Sequence, residues 1–136
     1  MLDLEGELEK RLLIAARKVR QNAYAPYSKF QVGAAVLSSA NNIYVGCNVE
    51  NVIYHVLHAE KNAIGNMVAN EGSGAKIHAM VISVKGDIPP CGPCRQDIAE
   101  FAEPSIPIIW ENYEIHKVSR ATLGELLPSV FTKEQL

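Results

Sequence analysis

The sequence predicts an α/β fold in which helices cover a mixed β-sheet. Segments whose apolar residues repeat with a helical period alternate along the chain with short, apolar strands, and this alternation is typical of such folds. The 136 residues are enough for one hydrophobic core and too few for two domains of ordinary size. We therefore expect a single domain over residues 1–136.

The N-terminal part of the chain predicts one helix followed by two strands. A helix over Asp3–Gln21, ended by Pro26, places six apolar residues of this segment on one face, namely Leu4, Leu8, Leu12, Ala15, Ala16 and Val19. Phe30–Ser38 is expected to be an apolar strand, in which Gly33 leaves room for the close approach of another segment. Asn41-Asn42 is expected to turn the chain into a second strand.

The remainder of the chain predicts three more helices and further strands. In chain order these are a helix over Leu57–Asn70 stopped by Gly72, a buried strand over Ile77–Val84, a helix within residues 94–102, and strands over residues 106–110 and 113–118. Thr122-Leu-Gly-Glu125 fits the capping box of a helix start, so a short final helix is expected before Pro128.

Composition argues against several classes of protein. The net charge is -2 and the basic residues are scattered, so a nucleic-acid polymer is not an expected partner. No apolar run reaches the roughly 20 residues that a membrane span needs, and the N-terminus lacks the basic start and apolar block of a secretory signal. Three cysteines do not form the framework of a disulfide-rich secreted domain. We expect a soluble, cytoplasmic protein with reduced thiols.

The motif CGPC, residues 91–94, is open to two interpretations. In a thiol-disulfide module, such a pair lies at a helix N-terminus, where the helix dipole lowers the thiol pKa. In a metal site, the same helix start stabilises two thiolates, and their spacing lets both sulfurs reach one ion. The motif by itself does not choose between them.

A second motif, His58-Ala59-Glu60, favours the metal interpretation. It also stands at a predicted helix start, and a thiol-disulfide module has no need of it. A catalytic zinc ion requires three protein ligands and an open fourth position for water, and His58, Cys91 and Cys94 would supply that set. Glu60 is then the candidate for accepting the proton of the water and delivering it to a leaving group. A closed structural site would instead need a fourth ligand, for which Cys47 and His55 are the nearby candidates.

The two motifs together match H-x-E followed by P-C-x-x-C, the known signature of zinc-dependent nucleobase deaminases. Beyond them, the sequence resembles the small cytidine deaminases over most of its length. The resemblance extends through PYSKFQVGAA (residues 26–35), NVEN (residues 48–51), HAE, PPCGPCRQ and LGELLPSVF (residues 123–131).

The resemblance implies a three-layer α/β/α sandwich with a mixed sheet of about five strands. It implies hydrolytic deamination of cytidine or deoxycytidine to the uracil nucleoside and ammonia, with one zinc ion per subunit. It also implies a homotetramer with shared active sites, acting on free nucleosides in pyrimidine salvage.

Further site residues are implied by the same resemblance. Asn48 and Glu50 match positions that bind the ribose hydroxyls, and Phe30 matches an aromatic residue that packs on the pyrimidine. Ala59 matches a position that contacts the base through its backbone. Two aromatic residues are implied at a subunit boundary: Tyr54, and Phe131, which would reach into a neighbouring subunit's site.

The chain departs from the family pattern in two places. Many small members have cysteine in place of His58 and arginine in place of Lys61. His58 with two thiolates neutralises the charge of Zn²⁺, so a guanidinium is less needed there. The second departure is the bulky Val52-Ile53 pair and the polar His55, where the family commonly has small residues around the tyrosine.

These departures leave other functions open. If Val52, Ile53 and His55 line the pocket, the substrate could be a modified aminopyrimidine nucleoside, such as an N4-substituted cytidine or blasticidin S. A zinc-stabilised binding protein without turnover is the alternative from another class, and Glu60 argues against it because structural zinc has no use for an adjacent carboxylate.

Overall fold

A computed structural model describes residues 6–136, and its sheet has five strands in the order β2-β1-β3-β4-β5. The strands are Gly33–Ser38 (β1), Ile43–Cys47 (β2), Ile77–Val84 (β3), Pro107–Asn112 (β4) and Lys117–Thr122 (β5). The α-helices are Gly6–Arg20 (α1), Ala59–Glu71 (α2), Gly92–Phe101 (α3) and Leu123–Leu126 (α4). Only β3 and β4 are parallel, and the other neighbouring strands are antiparallel, so the sheet is mixed.

Helices cover both faces of this sheet. Successive side chains of a strand point to opposite faces, and in β1 Ala34 and Val36 pack in the core that includes α2 and α3, whereas Ala35 and Leu37 pack against α1. The predicted α/β/α sandwich with a five-stranded mixed sheet is therefore confirmed. No helix within residues 6–136 is long and apolar enough to cross a membrane.

Most predicted elements are found, and the differences have local causes. The start of the first helix, with Asp3 and Leu4, lies outside the described residues. The first strand begins at Gly33 rather than Phe30, because the backbone around Phe30 and Val32 bonds to the side chain of Asn48 instead of a neighbouring strand.

Other boundaries differ from prediction as well, since α3 begins at Gly92 rather than Cys94 and β4 extends to Asn112 rather than Trp110. The second helix begins at Ala59 rather than Leu57, because the backbone of Leu57 exchanges two hydrogen bonds with Val49. The last strand was predicted over residues 113–118 and is found at Lys117–Thr122, since residues 113–116 form the turn out of β4.

The end of the chain contains one predicted and one unpredicted element. The capping box of Thr122 and Glu125 forms as predicted and begins α4. A 3₁₀ helix at Lys133–Gln135 was not predicted, and it has a capping box of its own between Thr132 and Gln135.

Gly33 allows α1 to lie directly on the sheet, as its position in the strand suggested. A Cβ atom at Gly33 would overlap the carbonyl oxygen of Ala16 and lie 2.7 Å from the backbone nitrogen of Arg20. Any side chain at this position would push the helix away from β1.

An ion pair also ties α1 to the sheet. Glu111 of β4 is fully buried, and its carboxylate accepts hydrogen bonds of 2.6–3.0 Å from the guanidinium of Arg17 and a longer one of 3.4 Å from Ser83. The side chain of Arg17 is 40% exposed. The guanidinium of Arg17, which lies at the solvent side of α1, therefore compensates the buried negative charge of Glu111.

Arg17→Ala should lower the free energy of unfolding by about 3 kcal/mol. This is the lower end of the range for breaking a buried pair, because Arg17 is partly exposed while Glu111 would remain buried without a cation. Equilibrium urea unfolding measures the change. Arg17→Met combined with Glu111→Leu should recover most of the loss, since it removes both charges.

Arg120→Ala is the matched control, because it breaks a pair with Glu9 in which neither partner is buried, the side chains being 45% and 21% exposed. It should cost less than about 1 kcal/mol. If both variants lowered the free energy of unfolding equally, the burial of Glu111 would not be the reason for the large effect of Arg17→Ala.

Candidate zinc and nucleoside site

The starts of α2 and α3 bring three metal-binding side chains together. Nδ1 of His58 lies 3.2 Å from Sγ of Cys94 and 3.3 Å from Sγ of Cys91. The three donor atoms lie within 4.8 Å of one another. His58 is the N-cap residue of α2, Cys91 is the N-cap residue of α3, and Cys94 lies in the first turn of α3. Both helices thus direct the positive ends of their dipoles at this cluster.

The cluster has the size and the donor types of a zinc site. Zinc binds histidine nitrogen at about 2.0–2.1 Å and cysteine sulfur at about 2.3 Å, so two such donors on a tetrahedral ion lie about 3.5 Å apart. The observed separations are close to this value.

The surroundings of Cys94 disfavour a thiolate unless a cation is bound nearby. Burial raises the pKa of this thiol, and the nearby carboxylate of Glu60 raises it further. A thiolate at this position therefore needs a compensating positive charge, which a bound metal ion provides while it deprotonates its thiol ligands.

Neither candidate for a fourth ligand belongs to the cluster. Among the described residues, His58, Cys91 and Cys94 form the one group of metal-binding side chains, and it includes neither Cys47 nor His55. Three protein ligands with an open position are the arrangement of a catalytic rather than a structural zinc site.

Glu60 lies in the first turn of α2, two residues after His58, and is only 5% exposed. Burial raises the pKa of its carboxyl group, and this effect is opposed by hydrogen bonds from its own backbone and from Cys94 and by the charge of His58. A raised pKa makes the carboxyl group a stronger proton acceptor when it is ionised and brings it closer to the range that suits a general acid–base catalyst.

A cavity of about 270 Å³ opens beside the cluster. Its polar lining includes Asn48, Glu50 and Glu60, and its apolar lining includes Phe30 and Ala59. The structure thus brings five of the sequence-predicted residues into one pocket with His58 and Cys91. The buried Cys94 completes the cluster behind them.

Asn48 and Glu50 shape this pocket by fixing the segment that carries Phe30. The amide of Asn48 donates to the carbonyl of Phe30 and accepts from the backbone of Val32. The carboxylate of Glu50 accepts from the hydroxyl and backbone of Ser28 and from the backbone of Tyr27, and these bonds lower its pKa. Glu50 is therefore ionised at neutral pH.

The two aromatic residues expected at a subunit boundary lie outside this cavity. Tyr54 is 77% exposed and packs edge-to-face on Tyr27 beside a neighbouring depression that shares Glu50. Phe131 is 57% exposed and lines a separate groove next to α3 and α4. Their proposed roles in a neighbouring subunit's site stay predictions.

The bulky residues that distinguish this chain point away from the pocket. The side chain of Asn51 accepts backbone hydrogen bonds from Ile53 and His55 and so closes a tight turn. Val52 and Ile53 are more than 70% exposed, and neither they nor His55 are among the residues that line the cavity. Val56, next along the chain, does line it.

Lys61 does not contact the sulfur ligands. Its ammonium group forms a salt bridge of 2.9 Å with Asp97 of α3, and its side chain is 59% exposed. It therefore links the two helices that carry the cluster, as an exposed helix residue.

Comparison with known proteins identifies the family. Residues 7–109 match the family model described as the cytidine and deoxycytidylate deaminase zinc-binding region. The chain belongs to this family. A cytidine deaminase of Sporosarcina psychrophila is 41% identical over 128 residues, which are 93% of this chain and 93% of that protein. One of Halalkalibacterium halodurans is 34% identical over 95% of this chain and 98% of that protein.

Solved structures of the family have the same fold. A cytidine deaminase from Burkholderia pseudomallei has a TM-score of 0.80 at 33% identity and covers 90% of this chain and 98% of its own. One from Mycobacterium tuberculosis has a TM-score of 0.77 at 30% identity and covers 95% of this chain and 98% of its own.

Family membership decides between the two interpretations of the CGPC motif. Cys91 and Cys94 belong with His58 to a zinc-binding region, and the observed cluster fits one zinc ion. The expected cofactor is thereby confirmed.

Several residues of the pocket wall were not predicted from the sequence, namely Ser28, Val32, Val56, Ile82, Val84, Ile88 and Pro89. Most are apolar residues of ordinary strands and loops, and no local pattern marks them. Ile88 and Pro89 stand just before the metal ligand Cys91 in the chain, and this nearness was the available signal for them.

Cys94→Ala should abolish stoichiometric zinc binding, because two remaining donors cannot hold the ion in this geometry. Cys47→Ala, which alters a cysteine outside the cluster, should retain about one zinc ion per chain. Metal analysis after gel filtration under reducing conditions measures both. Zinc loss from the Cys47 variant, or full retention by the Cys94 variant, would contradict the assignment.

Proposed function

We propose that this chain is an enzyme that deaminates cytidine and deoxycytidine hydrolytically, giving the uracil nucleoside and ammonia. The observation that carries the proposal is the placement of a buried carboxyl group, Glu60, beside a three-ligand zinc site that opens into a pocket. The relatives named cytidine deaminase support the choice of nucleoside.

The pocket suits one small ligand. Its volume of about 270 Å³ lies just below the usual range for drug-sized ligands, so a single nucleoside is a suitable occupant. Phe30 offers an aromatic side chain for packing on a pyrimidine. The outward positions of Val52 and Ile53 remove the reason for preferring an N4-substituted or antibiotic nucleoside.

Two polar residues are proposed to bind the sugar. A carboxylate has about four acceptor sites, and Glu50 uses three for Tyr27 and Ser28, so one remains for a sugar hydroxyl. Asn48 likewise keeps one amide hydrogen and one lone pair beyond its bonds to the backbone. Both side chains could therefore bind a hydroxyl without releasing the segment that carries Phe30.

Glu60 is proposed to move the protons of the reaction. Zinc held by His58, Cys91 and Cys94 supplies a Lewis-acidic centre that lowers the pKa of water. Glu60 accepts a proton from the attacking water and donates it to N3 of the pyrimidine. The oxygen of this water bonds to C4. As the bond from C4 to the amino group then breaks, Glu60 passes the remaining proton of the water to the departing nitrogen, so that water and cytidine yield uridine and ammonia. The backbone of Ala59 borders the base.

The proposal extends to the oligomeric state, the cellular compartment and the domain organisation of the chain. A homotetramer is supported by the exposed aromatic side chains of Tyr54 and Phe131, which would complete sites in neighbouring subunits. A cytoplasmic location is supported by the three cysteines, which form no disulfide and so suit a reducing compartment. A role in pyrimidine salvage is supported by the proposed nucleoside substrate. Residues 1–136 are proposed to form one domain.

Glu60→Gln should keep zinc and lose turnover. Glutamine has a similar shape but cannot exchange protons, and general acid–base catalysis contributes roughly 10²–10⁴-fold. The loss is measured as the fall in the rate of ammonia release from cytidine, with zinc content determined on the same sample.

Glu100→Gln provides the matched control, because Glu100 is an exposed carboxylate of α3 outside the pocket. It should have the wild-type rate. A Glu60→Gln variant that releases ammonia at close to the wild-type rate would overturn the role of Glu60.

A substrate panel tests the preferred nucleoside. Cytidine and deoxycytidine should both be hydrolysed with release of ammonia. Their turnover should be faster than that of blasticidin S or of N4-methylcytidine, whose leaving group is methylamine, since the zinc-binding region is that of the cytidine and deoxycytidylate deaminases. Loss of ultraviolet absorbance gives the rates. Faster turnover of the modified compounds would overturn the substrate assignment.

A further inference from the structure

The loop between β3 and α3, residues 85–90, forms one wall of the pocket. Ile88 and Pro89 line the cavity, and Cys91, the first residue after the loop, is a metal ligand. Pro89 is thus only two residues from the zinc cluster. Because the wall directly precedes a metal ligand in the chain, it lies beside the metal cluster.

A single side chain of this loop, Asp87, bonds to the neighbouring strands. Its carboxylate accepts a hydrogen bond of 2.6 Å from the indole nitrogen of Trp110 on β4. Longer bonds of 3.4 Å and 3.3 Å come from Lys117 and Ser119 of β5. The bond to the indole is the shortest of the three, and a charged acceptor makes it a strong one.

The donor of this bond is held rigidly. Trp110 is only 9% exposed and belongs to the hydrophobic core between the sheet and α2. Its indole N–H would lose its partner if Asp87 moved away, and a mostly buried donor without a partner is costly. The bond from the buried Trp110 therefore fixes the position of Asp87, and with it the position of the loop.

The other end of the loop is fixed separately. The guanidinium of Arg95 donates to the carbonyl of Pro90 at 2.6 Å and to the carbonyl of Leu126 at 2.7 Å. This clamp places Cys91 for the metal. Between the two attachments, Ile88 and Pro89 face the pocket.

We infer that Asp87 is a positioning residue for substrate binding, which sets the distance between the Ile88–Pro89 wall and the base by anchoring the loop on Trp110. The inference rests on the proposed function for the identity of the substrate. Because the Arg95 clamp fixes Cys91 independently, loss of Asp87 releases the wall without releasing the zinc ligand. The bond therefore controls how tightly the base is bound and which ring substituents are tolerated, while the chemistry is left to Glu60.

Asp87→Ala should raise KM for cytidine by about 5- to 10-fold with kcat and zinc content nearly unchanged, which is the pattern expected when binding to ground state and transition state is lost equally. The preference for cytidine over 5-methylcytidine, expressed as the ratio of kcat/KM, should fall because the wall gives way. A purely structural role for Asp87 would lower stability without altering this preference.

Variants of the same bond sharpen the test. Asp87→Asn keeps an acceptor oxygen for the indole but loses the charge, so its KM should lie between those of wild type and Asp87→Ala. Trp110→Phe keeps an aromatic ring without the donor, and it should reproduce the effect of Asp87→Ala on KM. The double variant should be no worse than either single one, since both remove one interaction. Lys117→Ala, which removes only a longer contact, is the control and should leave KM unchanged.

Amide hydrogen exchange of residues 85–90 provides a readout that does not depend on turnover. Exchange in this loop should be faster in Asp87→Ala than in wild type, with Asp87→Asn between the two. If the wild-type protein releases no ammonia from cytidine, the proposed function fails, and the exchange rates still decide the positioning role. Equal loop exchange in Asp87→Ala and wild type, or wild-type KM and selectivity in an active Asp87→Ala enzyme, would overturn the inference.

Discussion

The close approach of α2 to the edge strand β2 decides where the site lies. A Cβ atom at Gly46 would overlap the backbone nitrogen of Ala63 and lie 2.6 Å from the carbonyl oxygen of Ala59, so only glycine lets the helix start lie this low on the sheet. The side chain of Asn62 adds a hydrogen bond of 2.7 Å to the carbonyl of Cys47. This bond fixes the start of the helix next to Asn48, since Cys47 directly precedes Asn48 in the chain.

Several features of the site follow from this contact. His58 and Glu60 lie at the start of the same helix, so their distance from Asn48 and from the Phe30 segment is set by the packing of helix on strand. The salt bridge between Lys61 and Asp97 joins α2 to α3, which carries the two thiols. The metal cluster and the pocket are thus positioned by one rigid core, and few flexible side chains are needed to assemble them.

The sequence contained the chemistry of the site and most of the fold because those features are local. His58, Glu60, Cys91 and Cys94 lie in short motifs at helix starts, and the capping box at Thr122 is read within four residues. The predicted strand start at Phe30 and helix start at Leu57 were wrong, because hydrogen bonds to the side chain of Asn48 and to the backbone of Val49 replaced the expected backbone bonds. The position of Ile88 in the pocket wall and the bond between Asp87 and Trp110 could not be predicted, because both depend on the register of β3, β4 and β5.

The central claim is that this protein catalyses attack of water on C4 of cytidine. Its most direct test is mass spectrometry of cytidine incubated with the zinc-loaded protein in water enriched with heavy oxygen. The account predicts uridine that carries one heavy oxygen on its pyrimidine ring, with release of an equal amount of ammonia. Unchanged cytidine, or uridine without the heavy oxygen, would contradict it.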